Sequence, residues 1–167
     1  MADLTIALAG NPNAGKTTIF NALTGLHQHT GNWPGKTVEK KEGEIVYGEM
    51  RITIVDLPGT YSLSAYSPEE IIARDFLIQE RPDVVINVVD ATNLERNLYL
   101  TVQLLELDVP VILALNMADA LKKDGAKINI DNLSQLLGNI PVIKTAANHG
   151  RGISELLTNA IYAAREN

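Results

Sequence analysis

Gly10-Asn11-Pro12-Asn13-Ala14-Gly15-Lys16-Thr17 fits the pattern G-x-x-x-x-G-K-[ST] at every fixed position. Glycines in such a segment let successive backbone amides turn inward around a phosphate. The N-terminus of the following helix adds its positive dipole end. Lys16 would reach the β- and γ-phosphates of a nucleotide, and the Thr17 hydroxyl would ligate Mg²⁺. Asn11, Pro12, Asn13, Ala14, Gly15, Lys16, Thr17 and Thr18 are therefore the candidate phosphate-binding residues.

Further segments extend this chemistry. In Asp56-Leu57-Pro58-Gly59 the aspartate can hold Mg²⁺ through water, and the Gly59 amide can meet a γ-phosphate. Asp-x-x-Gly is a weak signal alone; it gains value from lying about 40 residues past the phosphate loop and after a strand. Asn116-Met117-Ala118-Asp119 bears on the base. A carboxylate accepts two hydrogen bonds, from N1–H and the 2-amino group of guanine. Adenine offers neither donor there, so a buried Asp119 would stay unpaired at roughly 1–3 kcal/mol or more. The pattern favours GTP over ATP. Standing alone, Asp119 would serve better as an N-cap and Asn116 as a turn residue; in register with the other motifs the base reading is the stronger. Thr37 could coordinate Mg²⁺ and sense the γ-phosphate when the loop before it closes, or be a plain solvent-facing threonine. The amides of Thr145-Ala146-Ala147, after the last strand, could touch the base edge; alone the segment carries no signal.

The elements that must position these residues are legible from periodicity. Leu4 to Ala9, Val84 to Val89, Val109 to Leu115 and Ile140 to Ile143 are short, nearly continuous apolar runs, as in parallel strands buried on both faces. Leu94, Leu98, Val102 and Leu105 recur near the helical period, as do Ile153, Leu156, Leu157, Ala160, Ile161 and Ala164. A helix opens over Lys16 to Leu23. Ser67-Pro68-Glu69-Glu70 supplies an N-cap, a first-turn proline and a capping-box glutamate for a helix reaching about Gln79. Two β-rich arms meeting at Gly48-Glu49 predict an antiparallel hairpin over Glu44 to Val55. Leu26 to Lys36, rich in His, Gly, Asn and Pro, reads as a long mobile loop. The alternation predicts an α/β fold in three layers, a P-loop NTPase of the small-GTPase kind. Its sheet would be mostly parallel and six-stranded, with one antiparallel edge strand and helices on both faces.

Composition narrows the function further. The chain has 167 residues, with 20 acidic and 14 basic side chains, a net charge of −6. That length suits one domain with a substantial core. The acidic balance argues against general nucleic-acid binding, which needs a basic surface. Cysteine is absent, which removes disulfides, thiol catalysis and cysteine-ligated metals. No apolar run approaches the ~18–20 residues that span a bilayer, and Met1-Ala2-Asp3 lacks a signal-like basic flank. Residues 1–167 read as one soluble domain of a reducing compartment.

Together these motifs resemble the translation-factor-like P-loop GTPases, and within them the cytosolic G domain of the ferrous-iron transport protein B (FeoB) family. The likeness covers nearly the whole chain. Beyond the segments above, it rests on Gly31-Asn32-Trp33-Pro34-Gly35 leading to Thr37-Val38-Glu39, on Thr60-Tyr61-Ser62-Leu63, and on Asp90-Ala91-Thr92-Asn93-Leu94-Glu95-Arg96-Asn97-Leu98. Two departures from the small-GTPase pattern matter. Met117 replaces the usual lysine, a substitution that the resembled family tends to carry, and would cover a purine face without charge. Thr60 stands where a water-orienting glutamine would be, so hydrolysis is slow or needs another source of water positioning and charge. The resemblance implies K⁺: Asn13 matches an asparagine that ligates K⁺ beside the phosphates in potassium-activated relatives. Backbone carbonyls from Gly31 to Trp33 would complete the shell. Asn13, Lys16, Thr37 and Gly59 are then the catalytic candidates. Thr17, Thr37 and Asp56 are the Mg²⁺ set; Asn13, Gly31 and Trp33 are the K⁺ set.

Read from residues alone, Asn13 is as well a turn former and Trp33 a partner contact. His27 and His29 are expected in solvent, and Arg96 in an ion pair with a neighbouring glutamate. The resemblance further implies helical regulatory and transmembrane domains of the same polypeptide, outside these residues, and places the domain on the cytoplasmic face of the cell membrane. Expected partners are the guanine nucleotide and those domains, with further copies of the chain left open and nucleic acid not expected. Two alternatives stand beside GTP hydrolysis linked to iron uptake: an RNA- or ribosome-associated GTPase, and a guanine-nucleotide regulatory module with negligible turnover.

Overall fold

The apolar runs become the interior strands β1 (Asp3–Gly10), β5 (Val84–Asp90) and β6 (Val111–Asn116). Ile6, Ala7, Leu8, Val84 to Ile86 and Ile112 to Leu115 have no exposed surface, because helices cover both faces of the sheet. The molecule is a computed structural model that describes residues 3–122 and 127–166. The remaining strands are β2 (Gln28–Asn32), β3 (Glu39–Tyr47), β4 (Met50–Asp56) and β7 (Val142–Thr145). Seven strands run in the order β2-β3-β4-β1-β5-β6-β7. β4, β1, β5, β6 and β7 are parallel, whereas β3 runs antiparallel to both β2 and β4.

One face of the sheet is covered by α1 (Lys16–Thr24) and α6 (Ile153–Arg165), packing Ile19, Phe20, Leu156 and Ile161 onto Ile54, Ile86 and Ile112. The other carries α2 (Pro68–Gln79) and α3 (Leu94–Leu105), with Ile72, Leu77, Leu100 and Leu104 against Ala7, Val55 and Val85. The short helices α4 (Ala118–Lys122) and α5 (Ile130–Leu136) close the far end, with Leu133 against Leu113 and Leu115.

The sheet has one strand more than the six expected. β2 falls inside Leu26 to Lys36, the segment read as a loop. Four of its five residues are exposed and Gln28 is half-buried, so it carries no apolar alternation to read. Backbone pairing alone makes it a strand, from Gln28 opposite Gly43 to Asn32 opposite Glu39. β7 starts two residues later than its apolar run, since Pro141 has no N–H for the ladder and only its carbonyl takes part, accepting from the Leu113 N–H. The hairpin meets at Gly48-Glu49 as expected, with Tyr47 opposite Met50.

Candidate functional site

The parallel strands deliver their last residues to one edge of the sheet, where open α/β sheets hold ligands. Gly10 ends β1, Asp56 β4, Asp90 β5, Asn116 β6 and Thr145 β7. At Gly10 an added Cβ would lie 2.7 Å from the Val88 carbonyl oxygen, so only glycine keeps β1 and β5 paired where the chain turns. Asn13 and Gly15 take φ of 70° and 95°. Gly15 caps α1 without a side-chain hydrogen bond, and the first turn holds no acidic residue. The opening amides of α1 therefore meet no capping side chain and face an anion-sized opening. Asn11 to Asn13, Gly15 to Thr17 and Gly59 line a cleft of about 330 Å³ there. Thr17 and Thr18 are exposed on the first turn.

Lys16 Nζ forms an ion pair with Asp56 Oδ1, and both side chains are largely buried, at 10% and 7% exposure. The segment after Asp56 is strapped to the phosphate loop. Leu57 N–H donates to the Leu8 carbonyl at 3.0 Å and Thr60 N–H to the Gly10 carbonyl at 3.0 Å. An added Cβ at Gly59 would lie 3.2 Å from Pro12. The Thr17 hydroxyl and the Asp56 carboxylate follow and accompany Lys16, and hard oxygen donors of this kind suit Mg²⁺.

At the other end of the edge, Asn116 acts as a clip. Its Nδ2 donates to the Ala14 carbonyl at 3.0 Å, while its Oδ1 accepts from Thr145 Oγ1 at 3.1 Å and from Ala147 N–H at 3.2 Å. One buried amide thus ties three loops together. An added Cβ on Gly15 would lie 2.1 Å from that Nδ2 and 3.5 Å from Met117 Cε, so Met117 reaches back over the phosphate loop. Asp119 sits half-buried in the first turn of α4 rather than at its cap. Its carboxylate forms no hydrogen bond among the described residues. Asp119, Thr145 and Ala146 border a cavity of about 320 Å³. The Ala146 and Ala147 amides are both engaged, by the Arg151 carbonyl and by Asn116, so in this conformation neither is free for a base.

The segment before β3 stands apart. Gly31 lies in β2, three strands from β1, about 14 Å in the plane of the sheet. Thr37 is exposed. The Trp33 carbonyl accepts from Lys36 N–H at 2.9 Å. Gly31, Trp33 and Thr37 are therefore not gathered around Asn13 and Thr17. The Trp33 ring is 7% exposed, against the partner-contact reading, and packs edge-on to Phe76 at 5.7 Å. Such a pair contributes about 0.5–1.5 kcal/mol beyond its burial. The Trp33 Nε1, however, is buried without a partner, a penalty of about 1–3 kcal/mol. The ring nevertheless packs within the buried cluster that includes Val55, Leu57, Leu63 and Ile72, so its burial holds it there.

Several contacts were invisible to sequence reasoning. Arg96 is in none of the ion pairs among the described residues; its guanidinium lies 4.1 Å from the centre of the Tyr61 ring. Asn11 is buried with both side-chain atoms unpartnered, although it borders the phosphate cleft. Glu70, beyond its capping-box role, accepts from Ser62 Oγ at 2.9 Å, Ser64 N–H at 3.1 Å and Ser67 Oγ at 3.2 Å. Desolvation pushes its carboxyl up, but the donors from Ser62, Ser67 and Ser64 outweigh that and hold it below the ordinary 4.5. A depressed folded-state pKa gives stability that is present above 4.5 and is lost as pH falls through the folded value. The protection factors of the amides at residues 62–64, which correct for the intrinsic pH dependence of exchange, should therefore fall on acidification below about 4.5. Glu70→Gln should exchange faster at neutral pH and lose the acid dependence; an unchanged profile would contradict the tether.

Fold and cleft together define a P-loop G domain. The family model described as Ferrous iron transport protein B matches residues 4–160, and the chain belongs to that family. The Fe(2+) transporter FeoB of Escherichia coli K12 is 54% identical over 173 residues, covering all of this chain and 22% of that protein. The chain thus spans about a fifth of the length of such curated relatives. Among solved structures, the FeoB G-domain of Methanococcus jannaschii is 50% identical, covers 99% of both chains and has a TM-score of 0.87. A mutant of S. thermophilus NFeoB bound to GDP is 52% identical, with a TM-score of 0.89 over 98% of this chain and 63% of that one.

Proposed function

We propose that the chain binds a guanine nucleotide with Mg²⁺ and hydrolyses GTP. In the longer polypeptide, turnover would drive switch loops that control ferrous-iron passage across a membrane, with the domain on the cytoplasmic face. The observation that carries the nucleotide reading is the uncapped, acid-free N-terminus of α1 beside largely buried Lys16, with Asp119, which forms no hydrogen bond among the described residues, on the same edge. That relatives of this chain carry GDP supports guanine over adenine. No helix among the described residues is long and apolar enough to cross a membrane; the chain covers 22% of a curated FeoB relative, and the reading assigns membrane passage to the rest of such a longer polypeptide.

Binding would proceed by exchange. Lys16 leaves Asp56 for the β- and γ-phosphates, which frees the carboxylate to face a cation shared with Thr17. Mg²⁺, when bound, neutralises charge on the phosphate oxygens. The first-turn amides of α1 satisfy the β-phosphate, Met117 covers a purine face, and Asp119 accepts from the guanine edge. Ala14, Asn116 and Thr145 hold these parts in register. Thr60 cannot orient water here: it is 5% exposed and its N–H is committed to Gly10. Water positioning then falls to the Gly59 amide and to Thr37 once its segment crosses the sheet.

Asn13 offers an amide oxygen for K⁺, but Gly31 and Trp33 lie away from it in this conformation. The cation therefore depends on the same crossing. The test is steady-state GTP turnover at fixed ionic strength in K⁺ and in Na⁺, with Asn13→Ala alongside. K⁺ should stimulate on the order of 10-fold or more, as added transition-state charge does, and the variant should lose the effect. Equal slow rates in both salts would instead favour the switch with negligible turnover, the reading that buried Thr60 keeps alive.

A further inference from the structure

Between β4 and α2 the chain from Leu57 to Ser67 forms neither helix nor strand, yet it carries Gly59. Backbone bonds fix its entry, from Leu57 N–H to the Leu8 carbonyl and from Thr60 N–H to the Gly10 carbonyl, both at 3.0 Å. Past Thr60 the contacts pass to side chains of α3. The Arg96 guanidinium lies 4.1 Å from the centre of the Tyr61 ring, and Gln103 Oε1 accepts from the Leu63 N–H at 2.7 Å. Tyr61 and Arg96 also wall a cavity of about 170 Å³ that Asn11 and Asn13 of the phosphate loop border in turn.

α3 is itself in register with that loop. Asn97 Oδ1 accepts from Asp90 N–H at 3.1 Å and its Nδ2 donates to the Asn93 carbonyl at 2.8 Å, which fixes the start of the helix. One turn on, Thr101 Oγ1 donates to Asn87 Oδ1, and Asn87 Nδ2 donates to the Ala9 carbonyl at 3.3 Å. Asn97, Thr101 and Asn87 are at most 3% exposed, and buried hydrogen-bonded networks make the structure around them rigid. Ala9 directly precedes Gly10, so the network ties α3 to the start of the phosphate loop. Arg96 stands on the exposed face of this anchored helix beside Glu95. It still takes part in none of the ion pairs among the described residues. A surface cation–π pair stabilises only weakly. The weight of this contact lies in where it holds Tyr61, two residues beyond Gly59.

We propose that Arg96 is a positioning residue for GTP hydrolysis: stacked on Tyr61, it passes the register of α3, set at Ala9, to the segment of Gly59 and holds the Gly59 amide against the phosphate loop. This rests on the GTP reading of the cleft. Buried Thr60 cannot orient water, so the reaction leans on the placement of that amide. Gln103 repeats the tie at Leu63, further along the same segment. The clamp acts on the reacting end of the cleft and touches neither the base edge nor the first turn of α1.

The test is steady-state GTP turnover with GDP affinity measured beside it, in the parent and in variants of the pair. Arg96→Ala should lower kcat on the order of 10-fold, since misplacing a catalytic group by about 1 Å costs up to about 100-fold. GDP affinity should stay within about 2-fold, because the lost interaction bears on the reacting state alone. Tyr61→Leu should match Arg96→Ala, and the double variant should be no worse than either, as for two halves of one contact. Tyr61→Phe keeps the ring and should recover most of the rate. Arg96→Lys keeps the charge without the planar stack and should recover part of it. The Thr60 amide reports the clamp apart from turnover: its exchange protection should fall in Arg96→Ala. Parental kcat in Arg96→Ala, unchanged Thr60 protection, or additive losses in the double variant would overturn the clamp and leave the nucleotide site standing. A parallel fall of kcat and GDP affinity would reduce Arg96 to a structural residue and overturn it too. A parent that turns over no GTP would overturn the hydrolysis reading, and the positioning role with it.

Discussion

Asp119→Asn should exchange guanine for xanthine recognition. Guanine presents N1–H and a 2-amino group to the carboxylate; xanthine presents an oxygen at position 2. The carboxylate repels that oxygen, while an asparagine amide can donate to it and still accept from N1–H. GDP affinity should fall on the order of 100-fold or more, because a site built around buried hydrogen bonds rejects a base that leaves them unpaired. XDP affinity should rise correspondingly. The competing role for Asp119, a favourable charge in the first turn of α4, predicts something different: a stability loss of about 0.3–1 kcal/mol with no dependence on the base. Titrating parent and variant with GDP, XDP and ADP separates the two. Parent protein that binds ADP as well as GDP, or a variant that keeps its guanine preference, would remove Asp119 from base recognition.

The legibility of this site in the sequence followed the nature of each constraint. Gly10 and Gly15 are fixed by close approach and left-handed backbone, and Lys16 by a fixed place on a helix start, so their spacing alone exposes the phosphate loop. Interior strands show as apolar runs because both faces are covered. β2 does not, because exposed His29, Thr30 and Asn32 place no demand on hydrophobicity; only its hydrogen bonds with β3 define it. Trp33 in a loop of polar and small residues looks like a surface contact, and nothing local announces Phe76, 43 residues on, as its partner. Arg96 illustrates the same point: neighbouring Glu95 suggests an ion pair, while Tyr61, brought over by the strap after Asp56, takes the guanidinium instead. The motif of Asn116 suggests a base residue, whereas its clip was not legible, since its partners Ala14, Thr145 and Ala147 come from both ends of the chain.

The clip and the ion pair give the cleft its shape, and the ion pair can be tested apart from binding. Lys16→Ala removes the phosphate ligand and also strands Asp56, whose side chain is 7% exposed. Removing one partner of a buried pair leaves an uncompensated charge, at about 3 kcal/mol or more. At about 2–4 °C per kcal/mol for a chain of this size, the melting temperature should drop by about 6–12 °C. Nucleotide must be absent during the measurement, since a bound ligand adds its own stabilisation. GDP affinity should fall on the order of 1,000-fold, as a desolvated charge-assisted contact to phosphate is lost. Adding Asp56→Asn to Lys16→Ala then separates the effects: a neutral amide no longer needs the ammonium, so most of the melting temperature should return while affinity stays lost. A stable Lys16→Ala would show that Asp56 is solvated in the empty cleft and that the pair contributes little. Tight GDP binding by the same variant would be the graver result, because the phosphates would then lie somewhere other than above α1.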